Sequence, residues 1–162
     1  MVIINRISII TMLFIFLLQG CSPPSAIVKP YVQGEQANSF VFEGNTCYFK
    51  AHTKQLSAIY IDCWFDTNVN DSVVINPEGL NVILKSKSYD YSVSDKNGKV
   101  ILNRQPVFEG DVYTINSYFD KMFFNTNDTI KIEFNSFITV DGKNPNLPPI
   151  HFLVDSINRQ TR

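Results

Sequence analysis

The sequence has few of the residues that usually build metal and catalytic centres: three cysteines and two histidines in 162 residues. His52 and His151 have no cysteine, histidine or carboxylate at a spacing typical of a metal site. A Gly-x-Ser-x-Gly nucleophile elbow and a glycine-rich phosphate loop are both missing. We therefore predict no catalytic residue, no metal and no cofactor, and a protein that is not an enzyme.

An excess of basic charge is also missing. The chain has 14 lysines and arginines against 15 aspartates and glutamates, and no basic run. A near-neutral surface offers little attraction to a phosphate backbone. Nucleic acid is therefore not an expected partner.

A long apolar run is missing as well, because the apolar stretch near the N-terminus extends only from Ile7 to Leu18. About 20 apolar residues are needed to span a bilayer as a helix. Arg6 is the one basic residue before this stretch. The pattern is typical of a secretory signal segment rather than of a membrane anchor.

The residues that end this stretch, Leu18-Gln19-Gly20-Cys21, resemble the lipobox of bacterial lipoprotein precursors. Leu18 is the aliphatic residue three positions before the cysteine, and Gly20 is the small residue directly before it. The resemblance implies cleavage before Cys21, lipidation of its thiol and residence on a membrane. A buried N-terminal helix and an ordinary cleaved secretory signal are the alternatives. Residues 1–20 are then a signal peptide, and 21–40 are the lipidated cysteine with a tether.

The residues after Cys21 bear on the membrane in which the protein resides. Ser22 stands where inner-membrane lipoproteins of enterobacteria tend to have Asp, and no acidic run resembling a Bacteroidetes surface-export signal follows. The resemblance implies the outer membrane, on its periplasmic face rather than the cell surface.

Triplets beginning at Asp71, Asp128 and Asp155 resemble the Asp-Ser/Thr-aliphatic sequon of Bacteroidetes O-glycosylation.

From Cys47 onward, apolar residues recur at every second position, which is typical of half-buried strands. About seven to eight short strands separated by turn signals predict an antiparallel immunoglobulin-like β-sandwich over residues 41–157. A small barrel is the alternative. Residues 158–162 are predicted to be a polar tail.

Three local patterns refine this prediction. Residues 129–140 read as one long strand, and Asn97-Gly98 predicts a type I′ hairpin turn. Tyr118, Phe119, Met122 and Phe123 have the spacing of a short helical turn or an aromatic corner.

The strands predicted at about Thr46–His52 and Ala58–Phe65 form a hairpin. If its turn centres on Gln55, Cys47 faces Cys63 across the pair. In an oxidising compartment this pair predicts a disulfide, and two buried thiols are the alternative.

The opposite face of this hairpin carries mixed aromatic and polar side chains. We identify it as a possible binding face formed by Tyr48, Lys50, Tyr60, Asp62 and Trp64, with His52 at its edge. Such a face can stack on a sugar or anchor a protein, although cross-strand packing alone also accounts for it.

The sequence thus predicts a membrane-anchored lipoprotein with a non-catalytic β-sandwich domain. Its expected role is binding or scaffolding of a protein partner in the cell envelope. A glycan-binding module is one alternative. The other is a hydrolytic enzyme whose site is assembled from residues remote in sequence.

Overall fold

All regular structure in the described part of the chain is β-structure. The structure is a computed structural model that describes residues 25–30, 39–68, 71–119 and 124–158. Within these ranges, none of the regular elements is a helix, and no helix is long and apolar enough to cross a bilayer. The strands are β1 (Ser25–Pro30), β2 (Ser39–Phe42), β3 (Asn45–Gln55), β4 (Ala58–Asp66), β5 (Val73–Ile75), β6 (Leu80–Leu84), β7 (Lys87–Tyr89), β8 (Tyr91–Asp95), β9 (Gln105–Pro106), β10 (Val112–Tyr118), β11 (Thr129–Phe134), β12 (Ile138–Val140) and β13 (Ile150–Asn158).

These strands form three antiparallel sheets. The first sheet has the order β1-β13-β11-β6-β7, the second β2-β3-β4-β10-β8, and the small third sheet β12-β5-β9. Alternate side chains of all three sheets contribute to one buried cluster. The all-β, antiparallel part of the fold prediction is therefore confirmed, and the arrangement is sandwich-like.

Aromatic contacts join the two large sheets across this core. Phe49 of β3 packs on Phe134 of β11 with ring centroids 5.0 Å apart, and Phe40 of β2 contacts the same ring at 6.0 Å. At the opposite end, Phe119 contacts Phe124 at 5.2 Å and Tyr89 at 4.8 Å. Because these rings come from both sheets, they hold the two layers face to face at either end.

The strand pattern differs from the sequence prediction in number and extent. The described residues contain thirteen strands rather than seven or eight, because several are only two or three residues long. Strands of this length are too short to show a two-residue apolar period in the sequence. In addition, β1 lies within the stretch predicted as a tether and pairs with β13.

The predicted long strand over 129–140 is wrong, because it is split between two sheets. β11 belongs to the first sheet and β12 to the third, and the chain bends between them. The amides of Asn135 and Ser136 both donate to the carbonyl of Gly79, at 2.9 and 3.1 Å. This contact ends β11 and allows Phe137 to enter the core.

The hairpin after β8 also differs from its prediction. Gly98 has a φ of 78°, but Asn97 is not among the residues with positive φ, so the turn is not type I′. The carboxylate of Asp95 accepts hydrogen bonds from the amides of Asn97 and Lys99, at 2.8 and 3.0 Å. These bonds favour a three-residue loop closed by glycine.

The predicted helical turn is not observed at its start, because Tyr118 ends β10 and Phe119 follows as a buried residue. Met122 and Phe123 lie outside the described residues.

The β3–β4 hairpin has the predicted faces but a different register. Phe49 lies opposite Cys63, and Cys47 lies opposite Phe65. The chain turns at Leu56-Ser57 rather than at Gln55, because Leu56 is buried in the core. Since the register shift is an even number of residues, every side chain keeps its face.

The two cysteines are consequently diagonal neighbours rather than a facing pair. Both are fully buried free thiols with sulfurs 3.3 Å apart, compared with about 2.05 Å for a disulfide. The predicted disulfide is therefore not present in the structure. Burial raises the pKa of the Cys47 thiol well above its ordinary value, and the hydrogen bond with Cys63 adds to the effect.

We expect Cys47 and Cys63 of the folded protein to resist iodoacetamide at mildly alkaline pH. Their burial blocks access, and the raised pKa of Cys47 leaves little of the reactive thiolate. Both should be alkylated after denaturation, as measured by peptide mass mapping. If denatured protein reacted only after reduction, the pair would instead be a disulfide in the cell.

Gly79 provides a second test of the packing. A Cβ at this position would lie 2.4 Å from the backbone nitrogen of Phe137, whereas one at Gly98 would contact nothing within 4 Å. We expect Gly79→Ala to lower the free energy of unfolding by about 3 kcal/mol, since backbone must move. The control Gly98→Ala should cost about 1 kcal/mol for its positive φ alone. Urea denaturation monitored by Trp64 fluorescence measures the free energy of unfolding of both variants. Equal losses of stability would contradict this packing.

Candidate functional site

The candidate site is the outer face of the second sheet, the side turned away from the core. Along β3, Cys47 and Phe49 point inward and are buried, while Tyr48 and Lys50 point outward. The same alternation on β4 places Asp62 outward between two buried residues. The two-residue period of the strand thus presents one polar, aromatic row per strand to solvent.

Two stacked ring pairs cross the β3–β4 hairpin on this outer face. Tyr48 lies opposite Trp64, with ring centroids 5.4 Å apart and planes within 9°. His52 lies opposite Tyr60, at 5.5 Å and 16°. Lys50 lies opposite Asp62 between these two pairs. Each stack restricts its rings to one orientation, which fixes the aromatic surface without a ligand.

Asp62 is the polar centre of the outer face. Its Oδ1 accepts a hydrogen bond from Thr114 Oγ1 at 2.9 Å, and its Oδ2 lies 3.6 Å from His52 Nδ1. On the next strands, Asn116 Nδ2 donates to Ser94 Oγ at 3.3 Å. The carboxylate is held by groups on both neighbouring strands, and its side chain remains 32% exposed. It is therefore oriented and still accessible to a ligand.

These residues border an open depression of about 500 Å³, which we call the polar groove. β4 and β10 form its floor, and β8 with the following hairpin forms one wall. Its lining residues are His52, Tyr60, Asp62, Ser92, Ser94, Asp95, Lys96, Gly98, Thr114, Asn116 and Tyr118. Tyr118 is 58% exposed at one end of the groove.

The phenols around the groove are neutral hydrogen-bonding groups. The hydroxyls of Tyr60 and Tyr118 are 3.4 Å apart, and this contact raises the pKa of Tyr60 above its ordinary value. The neighbouring carboxylate of Asp66 likewise raises the pKa of Tyr48. At neutral pH the side chains of Tyr48 and Tyr60 are therefore uncharged and can donate or accept a hydrogen bond.

The structure brings the predicted face residues together on one surface, with Tyr60 and Asp62 in the groove and Tyr48, Lys50 and Trp64 beside it. His151 lies elsewhere, on β13 opposite Lys131. Cys47 and Cys63 lie on the inner side of the same strands. Sequence reasoning missed Ser92, Ser94, Thr114 and Asn116, although each occupies the polar position of an alternating strand.

The chemistry available in the groove is that of hydrogen bonding and stacking. His52 and Asp62 form a potential acid–base pair, but within the described residues the polar partner of the imidazole is Asp62 and not a hydroxyl or thiol. His52 is also 39% exposed, so water screens the pair. In the same part of the chain, no three histidine, cysteine or carboxylate side chains converge to hold a metal ion.

The three predicted sequons differ in their exposure. Ser72 is exposed in the loop before β5, whereas Thr129 and Ser156 are half-buried within strands. Ser72 is therefore the most accessible of the three hydroxyls.

Comparisons with protein-family models, with curated proteins and with solved structures find no match for this chain.

Proposed function

We propose that this protein is a bacterial lipoprotein, lipidated at Cys21 and held on the periplasmic face of the outer membrane, with a binding domain of immunoglobulin-like sandwich type. Its role is recognition rather than catalysis. The polar groove supports this function most directly, because ring stacks and hydrogen-bonding groups already occupy fixed positions there. Preorganisation of this kind lowers the entropic cost of binding.

A saccharide is the ligand class that this groove fits best. Its floor and walls offer carboxylate, amide and hydroxyl groups at the spacing of neighbouring strands, which suits a ligand with many hydroxyls. Tyr60 and Tyr118 add aromatic surface at one end, where the apolar face of a sugar ring can pack. The described lining has two carboxylates, Asp62 and Asp95, against one lysine, Lys96, and one imidazole, His52, so it has no cationic cluster for phosphate.

Binding is favoured over hydrolysis by the openness of the site. General acid–base catalysis works best when the acid and base are shielded from water and matched to a nucleophile or bound water. The carboxylate of Asp62 instead accepts a hydrogen bond from Thr114 and lies beside His52, in a depression that is open to solvent. A fixed, solvated carboxylate is well suited to accept hydrogen bonds from ligand hydroxyls.

Trp64, the one tryptophan of the chain, reports directly on this face. We expect its fluorescence to change on titration with cell-wall glycan fragments or dietary oligosaccharides. Tyr60→Ala should weaken binding about tenfold, the loss expected when one well-packed aromatic anchor is removed. Isothermal titration calorimetry measures the affinity.

Phe108→Ala is the matched control, since Phe108 is an exposed aromatic residue outside the groove. It should leave saccharide affinity unchanged. An unchanged Trp64 signal across a broad panel, or an equal loss in the two variants, would contradict a saccharide site in the groove.

A protein partner is the second candidate, and exposed apolar residues favour it. Val100, Leu102 and Phe108 are 49%, 74% and 66% exposed, and all lie in the segment between β8 and β10. Exposed apolar side chains are typical of interaction surfaces where they lie together. Under this alternative, Phe108→Ala reduces recovery of a cross-linked envelope protein, whereas Tyr60→Ala does not.

The lipid anchor is tested by the intact mass of protein purified from membranes. We expect the mass of a chain beginning at Cys21 plus the acyl chains of a bacterial lipoprotein. Cys21→Ala should abolish both the added mass and the cleavage, because the peptidase acts next to the lipidated cysteine. An unmodified precursor mass would rule out the proposed anchor.

A further inference from the structure

One end of the fold lies close to the position of the proposed anchor. Ser25 begins β1 and follows Cys21 by four residues, a stretch that reaches at most about 14 Å. Val28 pairs with Val154, and the carbonyl of Val154 accepts a hydrogen bond from Asn127 at 2.8 Å. We call this end, which contains Ser25 and the turn at 125–128, the near end.

The near end of the first sheet coincides with one end of the second. The amide of Phe124 donates to the carbonyl of Leu56 at 2.8 Å, which places the β3–β4 turn beside the turn at 125–128. At the other end of β4, the amide of Gly110 donates to the carbonyl of Phe65 at 3.3 Å. β4 itself has nine residues, so this far end lies about 30 Å away.

Charge is distributed unequally between the two ends. Among the described side chains, the near end has Lys85 and Lys87 against Asp90, Asp128 and Asp155, and Lys85 pairs with Asp128 at 3.1 Å. In the same part of the chain, the far half has eight carboxylates, at Glu43, Asp66, Asp71, Glu78, Asp95, Glu109, Asp111 and Asp141, against four basic residues, at Lys96, Lys99, Arg104 and Lys143. An anionic lipid surface therefore repels the far half more strongly than the near end.

From this arrangement we infer that the domain stands end-on on the membrane. Its near end contacts the lipid headgroups, and the acidic far end points away from them. The inference rests on the proposed lipid anchor at Cys21 and adds the surface that meets the bilayer. In this orientation the strands run along the membrane normal, and the polar groove opens sideways. Lys96 and the exposed Phe108 are then at the end remote from the bilayer.

Energy transfer between the domain and the headgroups tests the orientation. Single cysteines at Thr126→Cys and Glu109→Cys, both exposed turn positions, carry a donor fluorophore at the near and far ends. The acylated protein is added to preformed vesicles of phosphatidylcholine and phosphatidylglycerol that contain a headgroup-labelled acceptor lipid. The buried Cys47 and Cys63 remain unlabelled in the folded protein.

We expect transfer to be several-fold more efficient from Thr126→Cys than from Glu109→Cys. Lys87→Glu, added to Thr126→Cys, should lower transfer in vesicles with phosphatidylglycerol but not in those of phosphatidylcholine alone. Circular dichroism of each variant verifies folding.

The possible failures are distinguishable. Equal transfer from both positions of acylated protein, or higher transfer from Glu109→Cys, would overturn the end-on orientation and leave the anchor intact. A mass without acyl chains, together with failure to float with vesicles, would overturn the anchor and the orientation with it.

Discussion

Burial of every second side chain of β3, β4 and β10 against the first sheet is the constraint on which the rest of the structure depends. Phe49, Ile61 and Ile115 are almost fully buried on this inner face. Each such side chain contributes about 1.5–3 kcal/mol relative to exposure, and a one-residue slip would expose them all. The outer residues of the same strands are thereby held in fixed rows without contributing to the core.

The outer face is therefore a product of the core's geometry. Asp62, Thr114 and Asn116 are neighbours because the strands that bury Ile61 and Ile115 lie side by side. Their hydrogen bonds, and the stacking of His52 on Tyr60, then remove much of the remaining side-chain freedom. A groove built in this way combines polar recognition with a rigid floor, which suits binding of a ligand rich in hydroxyl groups.

Closure of the two layers also decides where the proposed anchor meets the domain. Phe119 and Phe124 are buried between the sheets at the near end, where the chain passes from β10 towards β11. β1 joins the first sheet through β13 only four residues after Cys21, which leaves little chain between lipid and domain. The proposed anchor at Cys21 would thus hold the domain close to the bilayer rather than on a long tether.

Sequence by itself determined the all-β class, the inward and outward faces of β3 and β4, and five residues of the outer face. These follow from a two-residue period, which is a local property of the chain and survives an even shift in register. The resemblance of residues 18–21 to a lipobox is local in the same sense, because it needs only adjacent residues.

Only the tertiary structure decided the register of the β3–β4 hairpin, the division of residues 129–140 between two sheets and the free state of Cys47 and Cys63. It also added Ser92, Ser94, Thr114 and Asn116 to the site. Each of these features depends on which distant segments meet. The β3–β4 turn is displaced because Leu56 packs in the core, and β11 ends where the amides that follow it bind the carbonyl of Gly79. Contacts between residues far apart in sequence do not change the apolar period of either segment. These features are therefore determined by tertiary packing and cannot be read from the local pattern.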